Sequence, residues 1–409
     1  MSSLANIRQA VILAGGEGNR LKPLTDHLPK PMVPVNDRPF LEYLIEMLME
    51  NGISEIVLLL GYLPEKVTGH FGDGSDFGVN ITYSIGKVSD QTGTRMRQAG
   101  KLLDDLFILT YGDNYWPLDL KRMLAFYVKQ KSLASTTVYA NRDAKGEYGS
   151  ENNIYVDENS YVVKYDKLRK DPALNGVDIG FFILDKRVLE SMPESDFSFE
   201  EEVLPLLAEK RQLSGYLTEH RYHYISTPEN LKATEKYLQT KKVVMLDRDG
   251  VINKKADEGG YIRTWSEFEF LPGAIEAMRL LRQDGYDIYV ITNQRGIARG
   301  LMSESDLETI HRKMKVELEK NGTSINRIYY CPHGNEDGCD CRKPKPGMLF
   351  RAASDDDFDL TKAVFIGDDQ RDIEASQAAG CKVERVGPDR SLLQIVESLL
   401  ESGPGIDKA

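Results

Sequence analysis

The sequence predicts an α/β protein built from two doubly wound domains, residues 1–240 and 241–409. Three observations predict it. The chain opens twice on one pattern: Gln9–Ala14 (QAVILA) and Lys242–Leu246 (KVVML) are short apolar runs that enter loops rich in glycine or aspartate. Strand-like and helix-like patterns alternate after each start. The length of 409 residues also exceeds one ordinary domain, at roughly 100–200 residues each.

The elements follow in order. Gln9–Ala14 is apolar without alternation, as expected of a buried strand in a parallel sheet whose end faces ligand. Phe40–Asn51 reads as a helix, and Glu55–Leu60 and Leu106–Thr110 read as strands. Pro228–Leu238 reads as a helix capped by Thr227, and the polar residues 239–242 (QTKK) connect the domains. Lys242–Leu246 then starts the second sheet. Helices over Ala274–Asp284 and Glu304–Asn321 alternate with strands over Asp287–Thr292 and Ala363–Gly367.

Composition narrows the function. The formal net charge of -12 repels a polyanion, so no nucleic-acid partner is expected. A few local Lys and Arg suffice for small phosphorylated substrates. The amino terminus lacks the pattern of a signal peptide, and the apolar runs are too short to span a bilayer. A cytoplasmic location without a membrane partner is the expectation; composition is compatible with a homo-oligomer. Of four cysteines, Cys331, Cys339 and Cys341 cluster, which favours a metal site in a reducing compartment, whereas Cys381 reads as core.

The first loop runs from Leu13 to Arg20 (LAGGEGNR) and continues to Lys30 (PKPM). Gly15, Gly16 and Gly18 let backbone N–H groups approach phosphate oxygens. Arg20 and Lys30 place positive charge where a leaving pyrophosphate builds negative charge. Over residues 8–238 the chain resembles the sugar-1-phosphate nucleotidyltransferases, with their GGxGxRLxPLT…PKPM signature. The resemblance implies a Rossmann-like fold. It also implies that Asp113, in Tyr111-Gly112-Asp113, binds the Mg²⁺ that bridges nucleotide and sugar phosphates. Tyr148-Gly149 and Asp166-Lys167 resemble the family's sugar-contacting pairs, with Lys167 on the sugar phosphate. The implied reaction is in-line attack of a sugar-phosphate oxygen on the α-phosphorus of a nucleoside triphosphate.

Two departures stand out. The family's D-x-G-T-P-E reads Tyr224-Ile-Ser-Thr-Pro-Glu229, with a phenol in place of a second metal-binding carboxylate. The loop Gln91–Arg97 (QTGTRMR), with Gly93 as its nucleotide-binding glycine, resembles the cytidylyltransferase branch and makes CTP a candidate beside GTP.

In the second domain Asp247 and Asp249 share one side of an extended segment. Two carboxylates so placed can bind Mg²⁺ together. Asp247 would attack phosphorus and form an aspartyl-phosphate, while Asp249 would protonate the leaving alcohol and then activate water. Cys331, His333, Cys339 and Cys341 offer three thiolates and an imidazole, a closed tetrahedral set for structural Zn²⁺ that would order the loop carrying Arg342 and Lys343.

Downstream motifs identify the domain as a member of the haloacid-dehalogenase superfamily, which implies a Rossmannoid fold with a zinc loop. Thr292, in Thr292-Asn293-Gln-Arg, would bind the transferring phosphoryl group with Asn293 beside it. Lys343 would neutralise the phosphoaspartate, Arg342 would bind substrate, Asp368 would bind metal and Asp372 would assist. Over residues 242–388 the resemblance narrows to heptose-1,7-bisphosphate phosphatases, and histidinol-phosphate phosphatases share the zinc pattern. The expected function is bifunctional: a phosphatase on a sugar bisphosphate, then a nucleotidyltransferase on the resulting sugar 1-phosphate. Two alternatives stay open: the same pair of activities on a non-heptose sugar or polyol phosphate, and a degenerate first domain serving as a binding or scaffold module.

Overall fold

The computed structural model describes residues 7–402, apart from 143, 145, 147, 148, 240 and 258. The chain divides into two compact units after Gln239. Among the described residues, no helix is long and apolar enough to cross a membrane.

The first unit is built on a seven-stranded sheet. Its strands are β1 (Gln9–Ala14), β2 (Glu55–Leu60), β3 (Asn80–Ile85), β4 (Leu106–Tyr111), β5 (Ala134–Tyr139), β6 (Val177–Asp185) and β7 (Leu213–Thr218), in the order β7-β5-β6-β4-β1-β2-β3. Every pairing is parallel except those of β6, which runs antiparallel to β4 and β5. Alternate side chains of β1 enter different cores. Ala10 and Ile12 pack with the helix Phe40–Glu50 on one side, and Val11 and Leu13 pack with Phe182 and Phe197 on the other. Both faces are buried, which explains why β1 carries no polar alternation.

The second unit has a five-stranded, wholly parallel sheet. Its strands are β8 (Lys242–Leu246), β9 (Tyr286–Asn293), β10 (Arg327–Cys331), β11 (Val364–Gly367) and β12 (Lys382–Arg385), in the order β10-β9-β8-β11-β12. Val244 and Leu246 face one core, and Val243 and Met245 the other. Cys381 lies in that second core.

Both sheets reverse their strand order beside the first strand. In such sheets a crevice opens at the carboxyl ends of the strands where the order switches. The switch lies between β1 and β4 in one unit and between β8 and β11 in the other. These are the strands that end in Gly15, Asp113, Asp247 and Asp368.

Candidate functional sites

In the first unit a cleft of about 550 Å³ opens at the switch point. Leu13, Gly15, Gly16, Gly18, Arg20, Lys30, Asp113 and Lys167 all line it. Gly18 has φ +67°, and a Cβ there would come 2.9 Å from the Lys30 Cβ, so only glycine lets the turn fold against Lys30. The Gly112 amide donates to Leu13 O at 2.9 Å and ties the Asp113 turn to β1. The Lys30 ammonium rests on the Asp113 carboxylate and donates to Ser226 Oγ at 3.2 Å.

Other expected residues stand outside this wall. Gly93 lies under the Phe197 ring, where a Cβ would meet a ring carbon at 2.1 Å; it is a packing glycine. Asp166 caps its own loop, accepting from the amides of Leu168 and Lys170 at 3.0 Å each. The Gly149 carbonyl accepts from Asn141 Nδ2 at 3.0 Å, and Tyr148 lies outside the described residues. Tyr224 stacks on Tyr222 with ring centroids 5.6 Å apart and packs against the core, while Ser226, two residues on, reaches the cleft.

Two cleft residues escaped the sequence reading. Arg95 is buried, and its guanidinium donates to the carbonyls of Leu60 (2.6 Å), Lys87 (2.8 Å), Val88 (3.2 Å) and Gly15 (3.4 Å). Burial holds its pKa below the usual value. It thus ties the glycine turn to the ends of β2 and β3. The second is Glu200, which sits among three hydroxyl groups.

In the second unit Lys343 is 2% exposed and uses all three of its N–H donors. They reach Asp247 Oδ1 at 2.9 Å, Asp372 Oδ1 at 2.6 Å and Ile291 O at 2.8 Å. Asn293 brackets the lysine's main chain, accepting from its N at 3.1 Å and donating to its O at 3.0 Å. Burial pushes the Asp247 carboxyl up to about 7; Lys343 opposes the shift, and Asp372 and Asp249 add to it. Burial also opposes the charge on Lys343, but the two carboxylates outweigh it and raise its pKa.

Asp247, Asp368 and Asp372 bring carboxylate oxygens within 4.8 Å of one another. Asp368 Oδ1 is buried without a hydrogen-bond partner, the position a cation would satisfy. Gly250 leaves room for that carboxylate: at φ +97°, a Cβ would sit 2.3 Å from Asp368 Oδ2. These residues fit a hard divalent ion such as Mg²⁺. The Asp249 side chain is not part of this group. It accepts from the Arg248 guanidinium through both oxygens at 2.9 Å, and from Asn253 and Gln294 at 2.9 Å each. Its pKa is lowered, although burial alone would raise it, because Arg248 and these donors favour the charged form. Arg248 is fully buried, with its other arm 3.3 Å from His311 Nε2. Burial, and then the charge of Arg248, pushes His311 down to about 3, so it stays neutral. Thr292, also buried, accepts from Gln294 Nε2 at 2.9 Å.

Cys331, His333, Cys339 and Cys341 converge, with ligand atoms all within 4.8 Å. The Cys331–Cys339 sulfur separation is 3.7 Å and His333 Nδ1 lies 3.2 Å from Cys341 Sγ. A disulfide would need about 2.05 Å. A tetrahedron with Zn–S bonds of about 2.3 Å has edges near 3.8 Å. The donor set and spacing therefore fit zinc. Arg342 stays with this loop, donating to Asn335 Oδ1 at 3.1 Å and His333 O at 3.4 Å.

Comparison with known proteins finds two family models. Residues 9–245 match the nucleotidyl transferase family, and residues 242–382 match polynucleotide kinase 3 phosphatase. The chain is 43% identical over 143 residues to D-glycero-beta-D-manno-heptose-1,7-bisphosphate 7-phosphatase of Pseudomonas aeruginosa, covering 35% of this chain and 79% of that one. It is 38% identical over 150 residues to the alpha-anomer 7-phosphatase of Mycobacterium tuberculosis, covering 35% and 78%. Among solved structures, HddC from Yersinia pseudotuberculosis is 25% identical, with a TM-score of 0.49, and covers 57% of this chain and 100% of that one.

Proposed function

This chain belongs to the nucleotidyl transferase family through its first unit and to the sugar-bisphosphate phosphatases through its second, and from that premise we propose that it performs two consecutive steps of nucleotide-sugar synthesis. The second unit removes the 7-phosphate of a heptose 1,7-bisphosphate. The first then joins the remaining sugar 1-phosphate to a nucleoside monophosphate unit taken from GTP or CTP. On this reading residues 1–240 form the transferase domain and 241–409 the phosphatase domain.

One observation carries the proposal. Each sheet aims a carboxylate and an ammonium at its switch point, Asp113 with Lys30 in one unit and Asp247 with Lys343 in the other. In the phosphatase, Asp247 attacks phosphorus and the ester oxygen leaves as an alcohol, taking a proton from Asp249. Asp249 then takes a proton from water, whose oxygen attacks phosphorus; the bond from phosphorus to Asp247 breaks, inorganic phosphate leaves and Asp247 is restored. Arg248, Asn253 and Gln294 favour the charged form of Asp249, which suits it to accept a proton from water; to serve as the acid it must first take up a proton against those contacts. Lys343 balances the charge on Asp247 throughout. Asp247 and Asp368 would hold a Mg²⁺ ion, which supplies charge neutralisation at phosphorus. The four-ligand Cys and His set would hold Zn²⁺ as a structural brace.

In the transferase, the glycine turn and Arg20 receive the triphosphate, and Lys167 holds the sugar phosphate. The sugar-phosphate oxygen attacks the α-phosphorus and pyrophosphate leaves beside Lys30. Asp113 would hold the Mg²⁺ that screens the two phosphates from each other. The substrates are small molecules, and no nucleic acid takes part.

The test is direct. Purified protein receives heptose 1,7-bisphosphate with GTP or CTP, and phosphate and pyrophosphate are followed. Release of phosphate before pyrophosphate supports the proposal, and release of neither rejects it. A Tyr224→Asp variant that greatly accelerates pyrophosphate release would instead favour a degenerate first unit. That reading draws on the absence of a carboxylate at position 224.

A further inference from the structure

We propose that Glu200 reads a hydroxyl group of the sugar in the nucleotidyl-transfer cleft. The inference rests on the transferase reading above and deepens it by naming the residue that selects the sugar.

Glu200 lines the same cleft as Asp113, Lys30 and Lys167. It stands on a single wide helical turn, Phe199–Val203, that leads into the helix Leu204–Glu209. Three hydroxyl groups surround its carboxylate. Thr92 and Ser198 donate to Oε2 at 2.8 Å each, and the Tyr111 hydroxyl donates to Oε1.

The direction of these bonds is forced. Thr92 Oγ1 accepts from the Phe199 amide at 3.0 Å, and Ser198 Oγ accepts from the Glu201 amide at 3.3 Å. With an amide on the lone pairs, each hydroxyl turns its proton toward Glu200. Burial, reinforced by Glu200, raises the Tyr111 pKa well above its usual value, so this phenol keeps its proton. The carboxylate is therefore fixed through both oxygens and supplied with donors from the protein side. It retains capacity for about one more donor.

The chemistry of the ligand decides what that donor is. Phosphate oxygens are acceptors and offer no donor to Glu200. Lys167, a cation of the same cleft, is held by Glu201 at 2.7 Å. The remaining donors of a sugar phosphate are its hydroxyls, and Lys167 marks the neighbouring wall as the sugar side. A site that presents a preorganised acceptor rejects an analogue lacking the matching hydroxyl, because the acceptor is then left desolvated and unpaired.

The test uses the full chain and a series of monodeoxy sugar 1-phosphates, with pyrophosphate release as readout. In the wild type, one analogue loses about 10- to 100-fold in kcat/KM. In Glu200→Gln that gap closes to within about threefold, while the KM for the nucleoside triphosphate and the Mg²⁺ requirement stay unchanged. Thr92→Val, which keeps the carboxylate but loosens it, weakens the same discrimination and nothing else. Intact deoxy discrimination in Glu200→Gln overturns the proposal, as does a changed nucleotide KM or Mg²⁺ requirement, which would mark a base contact or a metal ligand. If the wild type releases no pyrophosphate from any pair, the transferase reading itself fails. Calorimetric binding of the sugar 1-phosphates then judges Glu200. Binding to the wild type that is lost in Glu200→Gln supports it, and equal binding or none overturns it.

Discussion

The Lys343 ammonium lies 2.9 Å from the Asp247 carboxylate, and both groups are almost wholly buried. Asp372 closes on the same ammonium from another side at 2.6 Å. Removing the lysine would leave two carboxylates facing each other out of water. Lys343→Met should therefore cost about 3–5 kcal/mol of stability as well as abolishing phosphate release. The chain has two tryptophans, Trp116 in the first unit and Trp265 in the second. In a Trp116→Phe background, Trp265 fluorescence follows unfolding of the second unit. An unchanged transition would show that the pair is not coupled.

His311 predicts a pH dependence of stability. Burial and the charge of Arg248 depress its folded pKa to about 3 from the ordinary 6.5, so the unfolded chain binds its proton first. The contribution is complete above about pH 6.5 and is lost as pH falls toward 3, at up to about 1.4 kcal/mol per pH unit. His311→Gln should flatten the stability curve between pH 6.5 and 5 relative to the wild type. Parallel curves for the two proteins would refute the assignment.

The two reactions should separate by mutation. Asp113→Asn is expected to slow pyrophosphate release at least about 100-fold and leave phosphate release within about twofold. Asp247→Asn should do the reverse, because it removes the proposed nucleophile. Both rates are measured on one preparation of each variant. A variant that depresses both reactions equally would argue against independent sites.

Metal analysis should find about one zinc per chain, bound by the Cys and His set. Cys339→Ser should lower the Trp265 unfolding temperature and reduce phosphate release about 10- to 100-fold, since the loop it braces carries Lys343. Nucleotidyl transfer should be unaffected. Full phosphatase activity in a zinc-free preparation would contradict the bracing role.

Gly250→Ala tests the shape of the aspartate loop. At φ +97°, with a Cβ only 2.3 Å from Asp368 Oδ2, any side chain must displace that carboxylate. Phosphate release should fall at least about 100-fold, accompanied by a weaker Mg²⁺ requirement curve; activity at the wild-type level would show that the loop adapts.

Much of this was legible in the sequence. Unbroken apolar runs marked β1 and β8 because both faces of each strand are buried, and burial on both sides removes the need for polar alternation. The Asp247 loop and the Cys and His set were readable because their members lie close together along the chain. Features that depend on tertiary approach were not. Nothing local indicates that β6 runs antiparallel between β4 and β5. Glu200 lies in the run Glu200-Glu201-Glu202, which reads as a solvated acidic face until Thr92, from the start of a distant helix, and Tyr111, from the end of β4, arrive beside it. Gly93 looked like a phosphate glycine in its loop, yet its neighbour is Phe197, more than a hundred positions away. Arg248 was passed over between two aspartates, although it holds the second of them.

Cys341 precedes Lys343 by two residues, so one short stretch of backbone joins a sulfur of the Cys and His set to the ammonium beside Asp247. Oxidants attack exposed thiolates first, and Cys339 and Cys341 are both partly open to solvent. Sulfur oxidation at either position would loosen the stretch that leads into Lys343. Peroxide would thereby slow dephosphorylation while sparing the transfer chemistry of the first unit.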